Sequence, residues 1–182
     1  MLTVERLQQL EERWHEVGAP IVANLRSGLT ESEIDTLTAP LGLQLPDEAR
    51  TWWRWHDGVS ADVPLRDDRA VGVFWPYQPL AEVVERCLRW REISDQVAAG
   101  GEPRWFLSTW LPISSEDPLA ILVCDCGSEA GAPTPIRRIT PPEGQPPPEP
   151  LCASFDELVQ RWIAAIDCGL WTYEPPGVEV PP

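Results

Sequence analysis

Residues 41–58 read "LGLQLPDEARTWWRWHDG", with three tryptophans, a proline and a terminal glycine in eighteen positions. Pro46 suits a first helical turn, where a missing N–H costs nothing, and Asp47 and Glu48 favour the positive end of the helix dipole. Gly58 reads as the left-handed stop, so the spacing predicts a capped helix over 46–57. Ala49, Trp52, Trp55 and His56 share one face, and Trp53 stands about 100° from Trp52, the α-helical step. Two tryptophans are therefore expected in the core and the third at its rim. "HDG" at 56–58 has the composition of an acid/base pair, but its place makes it a helix C-terminus, where a cationic imidazole suits the dipole.

Upstream, Val4, Leu7, Leu10, Trp14 and Val17 form one stripe of an amphipathic helix over 3–17, which Gly18 ends. Pro20 opens a short helical segment running to "RSG" at 26–28. "GLTESEIDTLTAPLG" carries a capping box, Thr30 with Glu33, and Pro40 stops its helix. Downstream, "AVGVFWPY" (70–77) reads as a strand, and residues 79–98 return to helical period with Leu80, Val83, Val84, Cys87 and Leu88 on one side. Strand-like runs follow at 105–113, 119–125, 135–139 and 149–154, and their short links favour an antiparallel meander. "TPPEGQPPPEP" (140–150) is too proline-rich for regular structure and reads as an extended excursion. "SFDELVQRWIAAIDCG" closes the domain with a second capping box, Ser154 with Glu157. Residues 173–182 read as a flexible tail.

A chain of 182 residues supports one proper core. With 43% hydrophobic residues and ten tryptophans, burial can offset the conformational entropy of folding. The charge is lopsided: 29 acids against 14 basic residues, every base an arginine, for a net charge of −15 spread over all three thirds of the chain. Such a field repels nucleic acid and anionic membrane and attracts a basic partner. Five cysteines in mostly apolar contexts suit a reducing cytoplasm, and the charged start "MLTVERLQQLEERWHE" does not read as a signal peptide. No apolar run reaches membrane-spanning length.

The residues offer little to an enzyme. His15 and His56 are the two histidines, each placed in a helix. "CDCG" at 124–127 is a Cys-x-Cys without a second ligand pair at zinc spacing, so no metal is expected. Asp125 is read as ending a strand and stabilising its turn. No glycine-rich phosphate loop, nucleophile elbow or lysine is present, and no catalytic residue or cofactor is expected. The arginines of "IRRI" and "RCLRWRE" look like solvated faces or local ion pairs.

The order "GLTESEIDTLTAPLG", "LQLPDEARTWWRWHDG", "WLPI", "LAILVCD" and "SFDELVQRWIAAIDCG" resembles the SUKH superfamily, which includes the fungal Smi/Knr cell-wall assembly regulators and bacterial immunity proteins of polymorphic toxin systems. The resemblance covers about residues 28–172, leaving 1–27 as a helical extension packed on the domain. It implies a single α+β domain with a mostly antiparallel sheet flanked by helices. Leu45, Pro46 and Gly58 match the family's Leu-Pro before its helix and Gly after it, and Trp110 and Asp125 match its central-sheet Trp and Asp. "EDPL" (116–119) departs from the usual Gly before the Asp-ending strand, and the proline-rich link enlarges the next loop.

What the resemblance implies is a protein-binding domain without enzymatic activity, and the cysteines and charged start place it in the cytoplasm. The expected partner is a basic protein, a toxin domain such as a nuclease, rather than nucleic acid or membrane; a regulatory scaffold like the Smi/Knr proteins is the alternative. An acidic surface with aromatic anchors can match a basic cleft. The acidic segment with Asp62, Asp67 and Asp68, the neighbouring Trp75 and Tyr77, and Glu116 with Asp117 make the candidate contact surface, although core packing is the ordinary role of such aromatics.

Overall fold

The computed structural model describes residues 1–60, 70–72, 75–116, 120–129, 131–140 and 149–171. Helix α1 (Val4–Glu16) starts on Thr3, whose hydroxyl accepts the Arg6 N–H at 3.3 Å. A single 3-10 turn, Pro20–Asn24, follows. The helical segment expected to reach residue 28 instead opens into strand β1 (Leu25–Ser27). A distant partner decides this, because β1 pairs antiparallel with β2 (His56–Val59) and Ser60 N–H donates to Asn24 at 3.1 Å. Helix α2 (Glu31–Thr38) carries the complete capping box: Glu33 N–H to Thr30 Oγ1 at 3.3 Å and Thr30 N–H to the Glu33 carboxylate at 2.8 Å.

Helix α3 (Asp47–Trp55) occupies the opening stretch, with Pro46 as its N-cap. It ends earlier than expected, for His56 is already extended, and His56 and Asp57 belong to β2 rather than to a helix C-terminus. Gly58 does have a left-handed φ of 70°, but its reason is different. A Cβ there would lie 2.4 Å from Pro79 N and 2.5 Å from Gln78 C, so glycine is needed for the close pass of the 77–79 backbone. Val59 N–H donates to the Tyr77 carbonyl across that pass.

The run 70–77 divides into β3 (Ala70–Gly72) and β4 (Trp75–Pro76), which pair antiparallel. Helix α4 (Leu80–Ala99) buries Leu80, Val83, Val84, Cys87 and Trp90. Leu88, expected on that side, is 39% exposed, and Trp90 fills the core in its place. Strands β5 (Trp110–Glu116), β6 (Ala120–Asp125) and β7 (Ile136–Ile139) form an antiparallel sheet in the order β5-β6-β7. Residues 105–109 stay outside β5, and its register shifts between Pro112 and Ser114, where proline has no N–H to give the ladder. The strand expected at 149–154 contracts to one bridge, Ile136 with Cys152. Helix α5 (Phe155–Asp167) is capped by Ser154, while the Glu157 carboxylate reaches Ala153 N–H, one residue before the reciprocal position.

One hydrophobic core joins these elements. Trp52 is at its centre, with ring centroids 4.5 Å from Tyr77, 5.1 Å from Phe155 and 5.5 Å from Trp55. Trp52 and Trp53 are fully buried and Trp55 lies at the rim, 5.6 Å from Trp14 of α1. Trp90, Trp105, Phe106 and Trp110 form a second aromatic group where α4 covers β5. The result is a single α+β domain with small antiparallel sheets and helices packed against them.

Candidate protein-binding surface and its frame

The five positions singled out by the resemblance all frame the domain. Leu45 is buried, and its carbonyl accepts from Arg50 Nε at 3.2 Å, holding the turn into α3. Trp110 and Asp125 are register partners across β5 and β6. Trp110 is buried, and Asp125 ends its strand with Oδ1 accepting the Gly127 N–H at 3.1 Å and Oδ2 pairing with Arg137 at 3.2 Å. That is the turn-stabilising role expected of Asp125.

Two further carboxylates, which local pattern did not single out, do more. Glu48 is 1% exposed in the first turn of α3. Its oxygens accept backbone N–H groups from Leu2 at 2.8 Å, Thr134 at 2.8 Å, Phe155 at 3.2 Å and Asp156 at 3.4 Å. One side chain thus ties together the start of the chain, the approach to β7 and the N-terminus of α5, where unpaired donors collect. The signal was present: Trp52 lies four residues on from Glu48, on the same face of α3.

Asp57 is the second. Its Oδ1 accepts the Leu80 N–H at 2.8 Å, capping α4 from another strand, and its Oδ2 pairs with Arg26 at 3.0 Å. Desolvation raises its pKa from the ordinary aspartate value, opposed by the Leu80 N–H and the Arg26 guanidinium.

His56 faces the Arg26 carbonyl with Nδ1 at 2.9 Å and the Glu11 carboxylate with Nε2 at 3.4 Å, joining β1 and α1. His15 is exposed on α1. Among the described residues no group of three or more His, Cys, Asp or Glu is arranged to hold a metal ion, and no helix is long and apolar enough to cross a membrane.

Of the candidate contact residues, Tyr77 is corrected. It is 1% exposed, and its hydroxyl donates to the Trp52 and His56 carbonyls, so it is a core anchor and offers no side-chain surface to a partner. Trp75 opens β4 and Glu116 ends β5, strands that approach each other. Asp62, Asp67, Asp68 and Asp117 lie outside the described residues, as do 141–148 of the proline-rich link and the tail.

The outer face of α4 adds a surface the sequence did not mark. Glu82, Glu85, Arg86, Arg89, Trp90 and Ile93 line an open groove, with the Arg86 guanidinium 5.7 Å from the Trp90 ring centroid. Ile93 in this groove is 38% exposed, and Leu88, elsewhere on α4, is 39% exposed. Among the described residues many arginines are held in internal ion pairs: Arg6 pairs with Asp156, Arg13 with Asp167, Arg26 with Asp57, Arg50 with Glu31 and Asp35, Arg104 with Asp95, and Arg161 with Glu157.

The chain forms a single α+β domain in which Glu48, Asp57 and Asp125 cap and tie its own backbone. Over residues 28–161 the chain matches the SMI1 / KNR4 family (SUKH-1), and it belongs to that family. No curated protein sequence matches it.

Proposed function

We propose that this chain is a non-enzymatic, cytoplasmic immunity protein that binds a basic toxin domain of nuclease type and blocks it. The observation that carries the reading is charge: the net charge is −15, and the arginines that could offset it locally are mostly held in ion pairs within the domain. A basic cleft built for a phosphate backbone complements such a surface, and the field speeds the encounter. Asp62, Asp67, Asp68, Glu116 and Asp117 supply acid at the contact, with Trp75 as an aromatic anchor. Helix α4 supplies exposed Leu88 and, beside Glu82, Glu85, Arg86 and Arg89, exposed Ile93, the mixed apolar and charged rim from which interfaces are built.

The test begins with the protein as bait in lysate of its source over a salt series, with bound chains identified by mass. A basic partner is then assayed for nucleic-acid cleavage while the protein is titrated in. Loss of cleavage at a one-to-one ratio supports the proposal; a captured partner that keeps its full activity when saturated with the protein contradicts it.

A further inference from the structure

Three cysteines converge at the open end of the β5-β6 ladder. Cys124 is the penultimate residue of β6 and fully buried; Cys126, two residues on, begins the turn and is partly buried against the core. Their Sγ atoms are 3.9 Å apart, within a weak thiol hydrogen bond that either sulfur can donate. Residues two apart at a strand end put their side chains on one side, and the turn is fixed by backbone bonds: Cys126 N–H to the Thr109 carbonyl at 2.8 Å and Asp125 N–H to the Pro135 carbonyl at 2.9 Å. Cys87, from α4, donates its thiol to the Trp110 carbonyl at 3.4 Å and is thereby occupied.

The geometry points to Cys124 and Cys126 as a reversible oxidation site that closes to a disulfide across the Asp125 turn. A disulfide needs sulfurs about 2.05 Å apart, so closure requires the two side chains to approach by rotation about their Cα–Cβ bonds while the backbone bonds of the turn hold. The oxidant is a low-molecular-weight disulfide such as oxidised glutathione. Cys126, the less buried of the pair, attacks one sulfur of the oxidant; the oxidant's S–S bond breaks, a mixed disulfide forms, and one small thiol leaves with the proton. Cys124 then attacks the Cys126 sulfur, its proton passes to the second departing thiol, and the protein disulfide is complete. Two protein thiols are oxidised and one small disulfide is reduced to two thiols. The hydrogen bond to Cys126 and then burial hold Cys124 well above the usual thiol range, and burial raises Cys87 to about 11. Cys126, the only one of the three not fully buried, is the point of entry for the oxidant. An eleven-atom ring of this kind is strained and easily reduced, the property of a regulatory rather than a structural disulfide.

The experiment uses the whole protein with exposed Cys168 changed to Ser, which removes a competing thiol. It is equilibrated in graded mixtures of oxidised and reduced glutathione, unfolded with an alkylating agent, and mapped by peptide mass. The expected result is loss of two hydrogens from the peptide holding both cysteines, complete protection of Cys124 and Cys126 from alkylation, and return of both on mild reduction. C126S should abolish the change. C124S should leave glutathione on Cys126, and if that variant does not fold, the C126S map decides. Full alkylation of Cys124 and Cys126 at every glutathione ratio, or a disulfide that includes Cys87, overturns the proposal.

Discussion

At the scale of single residues, two buried carboxylates are the points where substitution is most informative. Glu48→Gln keeps the size of the side chain but puts an amide NH2 against backbone donors that the carboxylate satisfied, from Leu2 and Asp156 on one oxygen and Thr134 and Phe155 on the other. Leaving such groups unmatched costs about 3 kcal/mol. Urea unfolding of E48Q should show that loss with an unchanged m-value, and a loss below about 0.5 kcal/mol would remove Glu48 as the tie. Asp57 carries a pH signature. Because its folded pKa is raised, the stability it contributes is fully present below the ordinary value of 3.8 and is lost as pH rises through the folded value. Glu157, lowered by the Ala153 N–H and Arg161, acts in the opposite sense, losing stability as pH falls through its folded value. D57N removes the first effect and keeps the second, so its stability should fall more steeply than that of the wild type as pH is lowered from neutral into the carboxylate range. Parallel pH profiles would contradict the assignment. Leu45, Pro46, Trp110 and Asp125 were legible in the sequence by their order; Glu48 was marked only by its spacing to Trp52, and Asp57 not at all. A first-turn acid reads as a dipole partner, and the donors Glu48 meets in Thr134 and Phe155 lie 86 and 107 residues away.

At the scale of elements, the extension before the family's match is part of the same core. Leu7, Leu10 and Trp14 of α1 are completely buried, and α1 is braced against α5 by Arg6–Asp156 and Arg13–Asp167. W14A should therefore cost about 3–5 kcal/mol, the range for emptying a large aromatic from a core, read as a fall in urea midpoint. A surface-like change below about 1 kcal/mol would mean that α1 is an appendage. Helices α2, α4 and α5 were legible because caps and apolar stripes are local features. Helix α3 was legible at its start and core face but not at its end, since the φ of Gly58 answers to residues 78 and 79. Strand β1 was missed and the last strand overestimated for one reason: a strand of three or four residues owes its existence to the partner it meets, β2 in one case and a lone bridge to Ile136 in the other.

At the scale of the whole molecule, family membership was written in the order of short motifs, whereas the chemistry of the partner is written in no motif. The proposed basic partner rests instead on the net charge of −15. That charge predicts attraction that salt weakens, because exposed charges act over about a Debye length, roughly 8 Å at physiological ionic strength. Removing apolar surface should act separately: L88A with I93A on α4 should speed dissociation from the partner with little effect on association, since on-rates within one interface vary far less than off-rates. Unchanged dissociation would place the contact away from α4. The central claim, an acidic domain that captures and silences a basic toxin, is tested most directly by the association rate with the captured basic partner across a salt series. Wild type and the charge-reversed variant D67R/D68R are compared. The account predicts fast association that slows steeply with salt in the wild type, and slower association with a shallower slope in the variant; rates indifferent to salt and to the reversal would contradict it.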